Sequence, residues 1–211
     1  MFISKITRVI LAVILATTAT VTAAESLFIK VKLPHSFTID LPSNWWAIGK
    51  DLDQVLATTV QACLDLSGFE VGKGEDVNLI AANAMPRSMY ASVRIDVSYP
   101  ATIAPSELTH LSAAEVSELG RETLPMLKKG AQMQGNPLIQ FYGMTKSTIG
   151  KHPMLSTRYK RGGPKGPVIV EALQILLTNK TFNVNLAYRE SERAIWKPVI
   201  ERIKASILIG E

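Results

Sequence analysis

Cysteine is almost absent from this 211-residue chain; Cys63 stands alone. An internal disulfide is therefore excluded, even in an oxidising compartment. Cys63 lies in VLATTVQACLDL, among apolar residues at helical spacing and without a neighbouring cation, which predicts a buried, inert thiol. The histidines His35, His110 and His152 are scattered, and none has a second ligand at metal-site spacing. H-E-x-x-H, G-x-S-x-G and a P-loop are missing. Gly162-Gly163-Pro164-Lys165-Gly166 lacks the Lys-Ser/Thr ending of a phosphate cradle and reads as a hairpin turn. No catalytic residue, metal ligand or cofactor is nominated. Charge is also modest, with 23 Lys and Arg against 18 Asp and Glu, a balance that does not indicate nucleic acid.

Long hydrophobic runs are lacking too. The apolar stretch Val9 to Val21 falls short of the about 20 residues that span a bilayer. It follows Lys5 and Arg8 and precedes the small residues Thr22-Ala23-Ala24, the pattern of a secretory signal. Residues 1–23 are expected to be a cleaved signal peptide, the other reading being an uncleaved anchor. No cysteine follows the run to accept a lipid. Cleavage lowers the net charge from +5 to about +3, leaves no membrane span, and places the mature protein in the periplasm or outside the cell.

Hydrophobic periodicity organises the rest. Residues 24–35 form an N-terminal arm or first strand, and 36–209 form one domain. Phe37, Ile39 and Leu41 alternate as a half-buried strand that Pro42 stops. Leu52, Val55, Leu56, Thr59, Val60 and Cys63 share a helical face over 51–66. VNLIAANA and MYASVRIDVSY are two strands joined at Met85-Pro86-Arg87-Ser88, and in the second Arg94, Asp96 and Ser98 oppose Val93, Ile95 and Val97. A helical region starts at Pro105, carries a capping box at Ser112 and Glu115, and runs to Met133, with Pro125 expected to kink or split it. FYGMTKST, PMLSTRYKR, VIVEALQILL and TFNVNLAY form a meander. VIVEALQILL is apolar on both faces, as a central strand should be. Ile195, Val199, Ile203 and Ile207 mark a terminal amphipathic helix. Consecutive hairpins with helices before and after predict an α+β protein, an antiparallel sheet flanked by helices on both sides in an α/β/α sandwich.

This layout resembles the PsbP-like family, which includes the DcrB-type periplasmic proteins. The resemblance covers residues 36–209. It is carried by Phe37-Thr-Ile-Asp-Leu-Pro42-x-x-Trp45, Thr148-Ile149-Gly150, the ILLTNKTFNVNLAY hairpin and Trp196-x-x-Val199-x-x-x-Ile203-x-x-Ser206. It implies the same sandwich fold and a non-enzymatic accessory or binding role through contacts with other proteins. The chain departs from many bacterial relatives in having no lipid-attachment cysteine, and Trp46 is not part of the family pattern.

Two features suggest a contact surface. Trp45 is expected to cover the sheet end, while Trp46 points elsewhere and either anchors a partner or packs under residues 67–76. The cations Lys146, Lys151, Arg158, Lys160, Arg161 and Lys165 crowd one hairpin. They guide an anionic partner, an acidic protein surface or an anionic envelope component, or they only guard a strand edge. The leading expectation is a secreted binding protein. The alternative is a small-ligand carrier or hydrolase with a cleft between the sheet and the 51–66 helix. A single core containing Phe37, Trp45, Val170, Leu186 and Ile203 is also expected.

Overall fold

The computed structural model describes residues 27–49, 77–101 and 103–210. The expected signal peptide, the 51–66 helix with Cys63 and the 67–76 loop lie outside the described residues.

Among the described residues, ten strands form two antiparallel sheets. The smaller has the order β1–β2–β10, with β1 Phe28–Leu33, β2 Phe37–Pro42 and β10 Leu208–Ile209. The larger has the order β3–β4–β5–β9–β8–β7–β6. Its members are β3 Trp46–Gly49, β4 Val77–Asn83, β5 Ala91–Ser98, β6 Leu138–Ile149, β7 His152–Arg161, β8 Val168–Leu176 and β9 Thr181–Arg189. The helices are α1 Pro105–His110, α2 Ala113–Met133 and α3 Arg193–Ala205.

One face of the large sheet packs against α3 and the small sheet. Alternation along each strand supplies the core: Val93, Ile95 and Val97 from β5, and Phe182, Val184 and Leu186 from β9, meet Phe37, Ile39 and Leu41 from β2. Trp196, Ile200 and Ile203 close it from α3. Trp45 joins this core at 8% exposure, its ring edge-on to Trp196 with centroids 5.8 Å apart. A four-residue turn from Pro42 to Trp45, in which Trp45 N–H donates to Pro42 C=O at 3.0 Å, folds the indole back over the strand end.

The opposite face is covered over β6, β7 and β8 by α1 and α2, through Leu108, Val116, Met144, Leu155 and Leu176. Helices thus lie on both faces, as the sandwich reading requires. Ser112 Oγ accepts from Glu115 N–H at 3.2 Å, and the Glu115 carboxylate accepts from Ser112 N–H at 2.6 Å, completing the expected capping box. Gly120 lets α2 approach β6 closely: a Cβ there would sit 2.9 Å from Met144 Cβ.

Two expectations need correction, and one element was not expected. Val170 is not in the main core. Its parity along β8 turns it to the opposite face with Val168 and Ala187, while Ile169, Leu173 and Ile175 face α3. Pro125 does not split α2, which is continuous through it. Pro125 and Arg121, whose carbonyl loses its helical donor, both face solvent, where water can satisfy the group. The second tryptophan opens strand β3, which pairs with β4 in the register Trp46 to Asn83. Four residues hold too short an alternation to be read from sequence.

Candidate binding cavity

Beside α2, the opposite face of the large sheet has a concave stretch over β4, β5, β9, β8 and β7, forming a cavity of about 820 Å³. Its floor comes from outward-facing strand positions, among them Asn83, Ser92, Arg94, Asn185, Val170 and Tyr159. One wall is the turn after α2, from Gln134 to Asn136. The rim carries Trp46, Arg87 and the β7–β8 turn with Lys165. That turn is tight: Gly166 N–H donates to Gly163 C=O at 3.1 Å, and Gly166 takes a φ of +112°.

Five cations line this space: Arg87, Arg94, Arg161, Lys165 and Arg189. Among the described lining residues there is no carboxylate, histidine or cysteine. Arg189 pairs with Glu192 and also donates to Ser88 C=O at 3.1 Å. Glu192 in turn accepts from Tyr90 N–H and Trp196 Nε1–H, both at 2.8 Å, tying the cavity edge to the core. The other four cations have no carboxylate partner among the described residues. Arg161 donates to Gly162 C=O at 3.0 Å and to the Tyr90 hydroxyl at 3.3 Å. The Arg87 guanidinium lies over the Trp46 ring, 5.6 Å from its centroid.

Arg94 is half-buried on an interior strand of the sheet. It donates to Ala82 C=O at 3.2 Å, Val93 C=O at 3.1 Å and Asn83 Oδ1 at 3.0 Å. These bonds fix the guanidinium against the floor without neutralising it. Loss of solvation there pulls its pKa below the ordinary guanidinium value. Asp96, two residues along β5 on the same face, lies beyond the lining and accepts from the Asn183 amide at 2.7 Å. Burial raises the Tyr159 pKa, partly offset by Arg161, so its hydroxyl remains a donor at neutral pH.

The six cations of the hairpin do not share one surface. Strand alternation sends Arg161 into the cavity with Lys165 on the adjoining turn, near Trp46. Arg158 and Lys160 point the other way. Arg158 lies over Tyr142 at 5.4 Å, and Lys160 pairs with Glu190 at 3.3 Å. Lys146 caps α1, donating to the carbonyls of Thr109, at 3.0 Å, and Leu111. Lys151 lines a separate cavity of about 520 Å³ with His35 and His152. Arg87, Arg94 and Arg189 were missing from the sequence-based candidates. The available signal was Arg94 itself, a cation in the middle of an apolar alternating strand.

No group of three metal-ligating side chains occurs among the described residues, and no described helix is long and apolar enough to cross a membrane.

The architecture is an α+β sandwich of two antiparallel sheets, with a cationic, aromatic-walled cavity on the face shared with α2. No family model and no curated protein matches the sequence. Solved structures do match. The solution structure of cyanobacterial PsbP (CyanoP) from Synechocystis sp. PCC 6803 has a TM-score of 0.55 at 12% identity, covering 90% of this chain and 96% of that one. LpqN, involved in cell envelope biogenesis of Mycobacterium tuberculosis, has a TM-score of 0.47 at 11% identity, with 88% and 91% covered. The chain has the PsbP-like fold.

Proposed function

We propose that this is a non-enzymatic binding protein, exported by its N-terminal signal, that recognises an anionic envelope component through the cavity on its larger sheet. The observation that carries the reading is the charge of the described lining: five cations and no carboxylate, with only Arg189 paired from behind, by Glu192. A concave, low-dielectric wall of one sign concentrates field and attracts the opposite charge. Binding rather than catalysis is supported by the lining chemistry, in which fixed donors and aromatic rings predominate. The PsbP-like fold supports the same reading, because the resemblance implies accessory proteins that act by contact.

Crosslinking in intact envelopes tests it. Arg87→Gln, Arg161→Gln and Lys165→Gln together should abolish a salt-sensitive crosslinked species. The pair Arg158→Gln and Lys160→Gln, on the other face, should leave it intact. Equal loss in both variants, or in neither, refutes a role specific to the cavity.

A further inference from the structure

We infer that the cavity takes a phosphorylated sugar or polyol, its phosphate seated on Arg94 and its hydroxyl-bearing body held against Trp46 and the amide side chains of the floor. This rests on reading the cavity as the binding surface and adds the ligand's chemical class.

The phosphate half follows from Arg94. A guanidinium carries five N–H donors. Three hydrogen bonds, to Ala82, Val93 and Asn83, leave at least two donors without a partner among the described residues. A half-buried charge with a fixed plane and free donors is the geometry that holds an oxyanion in two parallel bonds. Arg161 and Lys165 add positive charge from the β7 side, which favours a dianionic phosphate over a single carboxylate.

The polyhydroxylated half follows from the remaining lining. A cavity of about 820 Å³ far exceeds the space a bare phosphate fills, and small-ligand sites generally span about 300–1,000 Å³. The Asn185 amide, together with the Asn83 amide nitrogen and the Asn136 amide oxygen left beside their bonds to Arg94 and Gln134, offers donors and acceptors that match hydroxyl groups better than an apolar chain. Trp46, held by Arg87, presents a ring at the rim for the flat face of a sugar.

Calorimetric titration of the purified full chain tests this. Glucose 6-phosphate should bind about tenfold or more tightly than either inorganic phosphate or glucose, since losing one good charge-assisted or stacking contact costs about one decade. Arg94→Lys keeps the charge but removes the fork, and should weaken glucose 6-phosphate binding about tenfold with little effect on melting temperature. If that variant melts early, Trp46→Leu and Lys165→Gln at the rim should each still weaken binding. Vesicles of phosphatidylcholine containing phosphatidylinositol 4-phosphate offer a polyol phosphate monoester at a membrane. Tighter binding to them than to glucose 6-phosphate assigns the source to a lipid headgroup, and the reverse assigns it to a free sugar phosphate. Inorganic phosphate binding as tightly as glucose 6-phosphate, unchanged affinity in Arg94→Lys, or absence of binding to every probe each overturns the assignment. If the probes fail while the crosslink still depends on Arg87, Arg161 and Lys165, the ligand class falls and the binding surface stands; loss of both removes the reading altogether.

Discussion

Trp45→Ala should cost about 3–5 kcal/mol of folding stability, the range for deleting a buried aromatic side chain. The size follows from the packing. A buried tryptophan removes about 150–250 Å² from water, which at about 25 cal/mol per Å² gives roughly 4–6 kcal/mol as an upper figure. Alanine keeps the β-carbon and neighbours relax into part of the space, lowering the cost. The edge-on contact with Trp196, 5.8 Å between centroids, restores about 1 kcal/mol. Urea unfolding followed by circular dichroism measures it. With a slope of about 2 kcal/mol per molar, a loss of 4 kcal/mol moves the midpoint by about 2 M. Trp46→Ala is the contrast: that ring is half-buried and gains mainly its contact with Arg87, worth about 0.5–1 kcal/mol. A loss under about 1 kcal/mol for Trp45→Ala, with a larger one for Trp46→Ala, would reverse the roles assigned to the two indoles.

Gly120→Ala should destabilise by about 1 kcal/mol, because a Cβ 2.9 Å from Met144 Cβ costs more than the gain in helix propensity, while Gly130→Ala, with open space around it, should stabilise by up to about 1 kcal/mol; paired urea midpoints decide. The capping hydrogen bonds from Ser112 hold the Glu115 carboxyl below the usual carboxylate range, with Lys146 adding to the effect. Its contribution is therefore present above the ordinary carboxylate pKa and lost as pH falls through the folded value, so the stability gap between wild type and Glu115→Gln should narrow on acidification from neutral pH. Burial, then Lys151, lowers the His152 pKa, opposed by a hydrogen bond with the Ile209 backbone. The unfolded chain then takes up the proton first, and stability drops as pH falls through about 6.5. Thermal midpoints between about pH 7.5 and 5.5 should fall less in His152→Gln than in wild type.

The sandwich was legible because strands such as β5 and β9 alternate strictly. Phe182, Val184 and Leu186 can bury together in only one register, since a slip of one residue turns all three outward. Ser112 and Glu115 marked the start of α2 through local chemistry alone. Val170 was not legible, because β8 is apolar on both sides and parity cannot say which side meets α3. The cavity was not legible for a related reason. Its cations come from the β4–β5 turn, β5, the β7–β8 turn and the ends of β7 and β9, and only the sheet order β4–β5–β9–β8–β7 brings them together. Counting charges along one hairpin instead grouped Arg158 and Arg161, which the pleat places on opposite faces. The cleft expected beside residues 51–66 lies outside the described residues.

An anion seated on Arg94 at the cavity floor must perturb that side chain directly. The most direct measurement is the arginine side-chain Nε–H spectrum of the isotope-labelled protein during titration with glucose 6-phosphate at constant ionic strength. A saturable shift of the Arg94 resonance, accompanied by Arg161, is expected, with Arg158 on the other face unmoved. Arg158 and Arg94 drifting together without saturation would contradict it, leaving the cavity a region of positive charge and not a site.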